Sequence, residues 1–182
     1  MLFRSDPREK GASFDVAGAR ELLSRAGFRS GLDATLDTRR GGLPMASRIA
    51  ELLAPAGFRV RAVEHPEAEF FDRARKGELG FFFSAFVCAS GDASDLWEVG
   101  FHSVDPERGR GSSNWGRWSD PALDAAIERT AGMLDPEARR EALWEIGRKA
   151  DAELVWIPLY GDENVWAVRE PFRLRPRANG YL

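Results

Sequence analysis

The residues best suited to holding a small solute lie in and beside a long polar segment, residues 88–114, which is rich in Gly, Ser and Asp. Phe86, Ser90, Asp92 and Trp97 combine aromatic surface with groups that donate or accept hydrogen bonds. Solute pockets need this mixture, because apolar walls supply contact and a few polar groups fix orientation. We therefore predict that these four residues bind a ligand. In the alternative interpretation, Phe86 and Trp97 belong to the core and Asp92 caps a helix.

Two further tryptophans, Trp115 and Trp118, stand on either side of Gly116. An aromatic pair on a glycine turn offers flat faces on which a sugar ring or a peptide bond can stack. We predict that both tryptophans contact the ligand. The alternative is that they pack as a lid over the helix that follows them.

The chain lacks the residue patterns of an enzyme or a metal site. Cys88 and His102 flank the same long segment and are conceivable as a nucleophile pair, but no third orienting group or oxyanion turn accompanies them. His65 and His102 are the only histidines, and a metal site needs more converging ligands, so both are interpreted as surface residues. Phosphate-cradling and dinucleotide-binding glycine motifs are missing as well. We predict no catalytic residue, no metal and no cofactor.

The composition is that of a globular protein with one sizeable core. Hydrophobic residues make up 43% of the 182 residues, and 26 basic and 29 acidic residues give a formal charge of -3. These charges are scattered along the chain, which disfavours binding to nucleic acid or to a membrane surface. No apolar run approaches the roughly 20 residues that span a bilayer, and residues 1–11 lack the layout of a signal peptide.

Helices and strands alternate through the first half of the chain and would position these residues. The predicted elements are, in order, helix 16–26, strand 32–36, a helix opened by Pro44, strand 58–64, a helix closed by Gly77, and strand 79–87. Two helices opened by Pro121 and Pro136 follow, and an apolar strand, residues 164–168, comes near the end.

One joint between elements occurs twice. Residues 22–29 and residues 52–59 both carry two leucines, an Ala-Gly stop, and then Phe-Arg at the start of a strand. A glycine stop followed by a new strand is typical of units whose parallel strands are joined by right-handed crossovers. The fold class expected from this order is α/β with a mainly parallel sheet.

Four motifs in this order resemble a known family. Residues 14–28, FDVAGARELLSRAGF, resemble its helix YDPEKAKALLAEAGY, and residues 49–57, IAELLAPAG, resemble its helix IAQALQAQLAKAGI. Residues 114–124, NWGRWSDPALD, resemble its turn and helix NYSGYSNPELD, and residues 157–160 match its IPLY segment. The chain thereby resembles the family 5 extracytoplasmic solute-binding proteins, receptors that deliver peptides, nickel complexes or oligosaccharides to ABC importers.

The resemblance implies a three-layer αβα lobe of the type II periplasmic-binding-protein fold. In that family two α/β lobes close on a ligand about a hinge. Residues 1–13 would then be a leader or hinge segment, residues 14–156 the C-terminal lobe, and residues 157–182 a crossing strand and tail that belong to the first lobe. The bulk of the first lobe would be missing from this chain, and the parent protein would be periplasmic or extracellular.

The function expected on this basis is solute capture rather than catalysis. The chain would form one wall of a cleft for a peptide or another small polar solute, working with the missing first lobe and an ABC permease. The best match to the family's ammonium-binding aspartate is Ala89, so peptide, nickel complex and sugar stay open as ligands. The alternative is a truncated lobe that binds partners or forms a homodimer through an exposed strand, residues 164–168.

Overall fold

The computed structural model describes residues 13–88, 90–161, 165 and 167–174. The described residues form two compact units, which divide between Ala85 and Phe86. We call residues 13–85 the αβ unit and residues 86–174 the helical unit. This division falls inside the predicted lobe 14–156, and the predicted boundary at residue 157 stays a prediction.

The αβ unit alternates helices and strands, as the sequence predicts. Its elements are α1 (Val16–Arg25), β1 (Leu32–Arg39), α2 (Leu43–Leu53) with a 3-10 turn (Ala54–Ala56), β2 (Phe58–His65), α3 (Glu67–Lys76) and β3 (Phe82–Phe83). Asp15 caps α1 by accepting a hydrogen bond from the Gly18 amide at 2.9 Å. Gly27 and Gly57 both adopt positive φ, at 94° and 103°, so the repeated joint of the sequence is repeated in the backbone.

The three strands are parallel and lie in the order β2-β1-β3. Leu32 pairs with Phe58 and Arg39 with His65 at the two ends of the longer ladder. The first crossover runs from β1 to β2, and the second runs in the opposite direction from β2 past β1 to β3. Because both connections are right-handed, α2 and α3 lie on opposite faces of the sheet. The αβ unit thus has three layers, which confirms the predicted α/β class with a parallel sheet.

β3 is much shorter than predicted. The apolar run 79–87 forms a strand at two residues only, where Asp37 pairs with Phe82 and Thr38 with Phe83. A strand extends only as far as a neighbour offers backbone partners, and β3 has no second neighbour among the described residues. The predicted strand at residues 164–168 is also not seen: residues 165, 167 and 168 are not in a strand, and residues 164 and 166 lie outside the described part.

The helical unit contains α4 (Ser94–Leu96), which continues into a π-helical turn (Trp97–Phe101), then α5 (Pro121–Ala131) and α6 (Pro136–Ala152). The sequence predicts Ser119 as the cap of α5, but Asp120 caps this helix, and Asp135 caps α6. Each carboxylate accepts two amide hydrogen bonds in the first turn. None of the described helices has the length and hydropathy of a membrane span.

A single hydrophobic core holds the helical unit together. Its buried members are Phe101, Leu123, Ile127, Leu143, Ile146 and Ala150. The π-helical turn brings the rings of Trp97 and Phe101 to 5.1 Å, and Trp156 lies 5.0 Å from Phe101. A Cβ on Gly100 would lie 2.9 Å from the Trp156 ring, so only glycine fits where the turn meets this ring.

Candidate solute-binding loop

The loop that follows β3 is held in shape by its own short hydrogen bonds. The Cys88 thiol donates to the Asp92 carbonyl at 3.0 Å, and the Ser90 amide donates to the Asp95 carboxylate at 3.0 Å. The Asp92 amide in turn donates to the Ser90 hydroxyl at 3.0 Å. Each bond spans five residues or fewer, so the sequence of the loop itself encodes its shape. We call residues 86–97 the candidate loop; Ala89 within it lies outside the described residues.

Asp92 ties the candidate loop to α6. Its two carboxylate oxygens accept from the two terminal nitrogens of Arg139 at 2.6 and 3.0 Å, and one also accepts from the Ser94 amide at 2.9 Å. Arg139 donates its third bond to the Thr130 carbonyl at 3.2 Å. The guanidinium beside it holds the pKa of Asp92 well below its ordinary value. Asp92 therefore accepts from the first amide of α4, but the N-cap of that helix is Ala93, and the contact of Asp92 with a solute stays a prediction.

This ion pair makes the stability of the helical unit depend on pH. The Asp92 pKa is lower in the folded state, so the pair stabilises the fold above about pH 4 and that stabilisation is lost as the pH falls further. Since the Asp92 side chain is 39% exposed, we expect a loss of about 1 kcal/mol rather than the full Coulombic value. Urea unfolding at a series of pH values measures it.

Asp92→Asn is the matched control for this pH dependence. Lys149 also lowers the pKa of Asp120, so the wild-type slope contains more than one carboxylate. The contribution of Asp92 is the difference between the wild type and Asp92→Asn in the slope of the free energy of unfolding against pH. Equal slopes in the two proteins would contradict the assignment.

The predicted aromatic residues of the candidate loop pack inside the helical unit. Phe86 lies edge-on to Trp156, with ring centroids 5.8 Å apart, and Trp97 packs against the core beside Phe101. The Trp97 indole nitrogen is buried and has no hydrogen-bond partner among the described residues. A buried donor without an acceptor costs about 1–3 kcal/mol. Trp97 thus packs in the core, and its indole N–H has no acceptor among the described residues.

The two tryptophans of the glycine turn have different surroundings. Trp118 packs against the same core as Trp97. Trp115 is half-buried and donates its indole N–H to the Ser112 carbonyl at 3.2 Å. Trp97 and Trp118 are therefore brought to one core, whereas ligand contact by Trp115 and Trp118 stays a prediction.

Asn114 organises the turn that carries these tryptophans, although it is not among the residues predicted to bind a ligand. The residue is 2% exposed; its amide nitrogen donates to the His102 carbonyl at 3.0 Å and to the Trp118 carbonyl at 2.6 Å. Its amide oxygen accepts from the Trp118 backbone N–H at 3.2 Å. Arg117 takes a positive φ of 57° inside this turn. The signal available in the sequence is an asparagine opening a glycine-containing turn, where a side-chain amide replaces backbone bonds.

The interpretation of both histidines as surface residues is wrong. His102 is buried, with Nδ1 2.8 Å from the Ser103 carbonyl and Nε2 3.2 Å from Glu128. The His65 side chain is 11% exposed and lies 2.6 Å from Asp37. Both sit in networks with carboxylates that are distant in sequence, which a single sequence does not reveal. No group of three or more His, Cys, Asp or Glu in the described ranges is placed to hold a metal ion.

The chain is similar in sequence or in fold to several known binding proteins. No family model matches the chain. Di/tripeptide-binding protein 3 of Pseudomonas aeruginosa is 31% identical over 143 residues, 75% of this chain and 26% of that protein. Heme-binding protein A of Haemophilus influenzae is 24% identical over 178 residues, 93% of this chain and 30% of that protein.

The homologues of this chain are thus dipeptide-binding and heme-binding proteins, and the chain matches a part of each. A solved structure with the same fold, an ABC transporter-associated periplasmic binding protein from Helicobacter pylori in complex with the peptide STSA, superposes with a TM-score of 0.69. That match has 18% identity and covers 85% of this chain and 30% of the other. The chain thus spans under a third of the length of each of these proteins, and all three are named as binding proteins.

Proposed function

We propose that the chain forms one wall of the solute cleft in an ABC-transporter substrate-binding protein, with a peptide as the solute. The relatives that bind di- and tripeptides support this solute class. The candidate loop follows the carboxyl end of β3, where the crevices of parallel sheets take their ligands. Phe86, Ser90 and Trp97 on this loop, with Trp115 and Trp118 on the glycine turn, are the proposed contacts.

The unused Trp97 donor is the observation that carries this proposal. Buried donors are paired in the great majority of native structures, so an unpaired one calls for a partner that the described chain does not supply. A peptide carbonyl is an acceptor of the right kind, and the candidate loop is where the sequence predicts it. A peptide backbone would complete the hydrogen bond that the core leaves open.

The other wall would come from a second lobe that closes on the solute about a hinge. Under this proposal residues 14–156 belong to the C-terminal lobe, and residues 157–182 cross back to the first lobe. Exposure supports that crossing: Ile157 is 66% exposed and Val165 is 89% exposed, which leaves apolar surface for another lobe to cover. The complete receptor would work outside the cytoplasmic membrane with an ABC permease.

Trp97→Phe tests the proposed contact on the full chain. The substitution removes the unpaired N–H, which is stabilising, but it also leaves part of the indole volume unfilled, which is destabilising. Because these effects oppose each other, stability should change by less than about 1 kcal/mol. Calorimetric titration with dialanine should give weak, saturable binding to the wild type, because a single wall encloses only one side of the solute. We expect the variant to bind roughly fivefold more weakly, as the loss of one hydrogen bond implies.

Trp156→Phe is the matched control, since it makes the same chemical change in the same core. Its affinity for dialanine should equal that of the wild type. If the folded wild type shows no saturable heat, or if Trp97→Phe binds as well as the wild type, the proposed contact is wrong.

The exposed apolar residues also support a second candidate function, a module that binds a partner or a second copy. Tyr160 and Phe172 are 58% and 73% exposed, in addition to Ile157 and Val165. Light scattering on the sample used for titration separates the two functions. A stable dimer without dialanine binding would favour the module, whereas a monomer that binds dialanine favours the cleft wall.

A further inference from the structure

A cavity lies in the αβ unit, and none of its lining residues belongs to the candidate loop. It has a volume of about 510 Å³ and opens on the face of the sheet that carries Asp37 and Val63. Helix α3 reaches this face at the Asp37 end, where Phe70 of α3 lies 6.3 Å from the Phe82 ring. The rest of the cavity lining includes Arg61 from β2 and Arg73 from α3. Pockets of this size accept small organic solutes.

The acidic groups in the cavity are already engaged. Asp37 is 7% exposed, and one of its oxygens lies 2.6 Å from His65 Nε2. His65 Nδ1 lies 3.2 Å from Glu69, so both ring nitrogens face carboxylates. Glu78 lies 3.7 Å from the Arg73 Nε. The Asp37 carboxylate thus has His65 as a hydrogen-bond partner, and Glu78 makes an ion pair with Arg73 that is too long for a hydrogen bond.

The guanidinium of Arg73 has N–H donors that no described residue accepts. Its Nη1 lies 3.1 Å from His65 Nε2, an atom that already faces Asp37, and 3.7 Å from Asp37 itself. For its Nη2, no hydrogen bond occurs among the described residues. A guanidinium has five donors in a planar fork, so Arg73 can still accept an anion.

Arg61 supplies a second cation at the same cavity. Arg61 is exposed, and its guanidinium makes no hydrogen bond or ion pair with any described residue. Two residues earlier, on the same face of β2, Arg59 is held bidentately by Asp33 at 2.7 and 2.6 Å. The two arginines therefore differ in their partners: Arg59 pairs with the carboxylate of Asp33, whereas no carboxylate in the described part of the chain pairs with Arg61.

We infer that this cavity binds a small monocarboxylate between Arg61 and Arg73. A carboxylate accepts two parallel N–H bonds from a guanidinium, which matches the missing partner of Arg61. Asp37 and Glu78 in the same lining oppose a second negative charge, so a singly charged anion is favoured over phosphate. Val63 and Phe81 line the cavity too and give a short hydrocarbon body apolar surface to contact.

Butyrate and butyramide test this site on the full chain, because they share a shape and differ in charge. Titrations followed by amide chemical shifts should show saturable butyrate binding with a Kd in the millimolar range, weaker binding of inorganic phosphate, and none of butyramide. Arg61→Gln should weaken butyrate binding by roughly tenfold, the effect of one charge-assisted hydrogen bond. Arg59→Gln removes the same charge from the same strand face and should leave the affinity unchanged.

The following results would contradict the proposed carboxylate site. Absence of saturable butyrate binding, or equal binding of butyramide, would remove the carboxylate site. Equal affinity of Arg61→Gln and the wild type would remove Arg61 from it, and phosphate binding tighter than butyrate would replace the monocarboxylate with a more highly charged anion. The residues involved are separate from those of the candidate loop, so failure of either proposal leaves the other standing.

Discussion

Replacing Asn114 with aspartate should destabilise the helical unit by about 3 kcal/mol, more than replacing it with alanine. The Asn114 amide nitrogen donates to two backbone carbonyls, those of His102 and Trp118. An aspartate would place a carboxylate oxygen, which only accepts, against both carbonyls in a site that is 2% exposed. Alanine leaves the same carbonyls unpaired without adding a charge, at a cost of about 2 kcal/mol. Urea unfolding followed by tryptophan fluorescence measures both variants at neutral pH.

The critical result is that Asn114→Asp is less stable than Asn114→Ala. Ser113→Ala, one residue earlier in the same turn, serves as a control because its side chain takes no part in the bonds of Asn114. If Asn114→Asp proved as stable as the wild type, or more stable than Asn114→Ala, the amide nitrogen would not be the donor that holds the turn.

Asn114 also shows how the turn couples the site to the core. Its three bonds join the end of the π-helical turn, through His102, to the backbone of Trp118. Ser103 extends this join: its amide donates to Asp124 of α5 at 2.8 Å. A residue that contacts no solute therefore decides where the glycine turn and its tryptophans lie.

The sequence predicts most helices of this chain because their ends are encoded locally. Asp15 and Asp135 stand directly before apolar-periodic runs and cap α1 and α6 as predicted, and the cap of α5, Asp120, is one residue from the predicted Ser119. Gly27 and Gly57 end the two repeated helical segments in left-handed conformations, which glycine adopts without strain. Such signals involve residues a few positions apart, so a single sequence contains them in full.

Features that depend on distant neighbours could not be predicted in the same way. The apolar run 79–87 reads as a long strand, but β3 stops after two residues because its pairing with β1 stops there. The burial of His102 depends on Glu128, which lies 26 positions away in the sequence. The physical reason is the same for the length of β3 and for the burial of His102. Each depends on a residue that lies far away in the sequence, so the neighbouring residues do not indicate it.

The candidate loop contains both locally encoded contacts and a contact with a distant residue. Its internal bonds among Cys88, Ser90 and Asp92 are local, and the Gly-Ser-Asp composition indicates them. Arg139 lies 47 positions from Asp92, so the sequence offered a solute contact and a helix cap for Asp92 but no ion pair. An aspartate in a loop has the same local pattern whether its partner is a ligand or a distant arginine.

Replacing Phe70 with alanine should destabilise the αβ unit by about 4 kcal/mol, the largest effect expected of any single truncation there. Phe70 is 0% exposed, and its ring lies 5.5 Å from Phe71 and 6.3 Å from Phe82. Truncation leaves a cavity between α3 and β3 that neighbouring side chains refill only in part. Phe70→Leu keeps most of the volume and should lose less than half as much. Thermal unfolding by circular dichroism measures the series.

Phe28→Ala is the control for this prediction, since Phe28 is 43% exposed and should lose less than about 1 kcal/mol. The two substitutions also bear on the carboxylate cavity, because α3 carries Arg73 and Phe70 fixes α3 against the sheet. Phe70→Ala should therefore weaken butyrate binding as well as stability, while Phe28→Ala should leave it unchanged. A Phe70→Ala protein as stable as the wild type would mean that α3 does not depend on this contact. Wild-type butyrate affinity in a destabilised Phe70→Ala protein would show instead that Arg73 is positioned by other contacts.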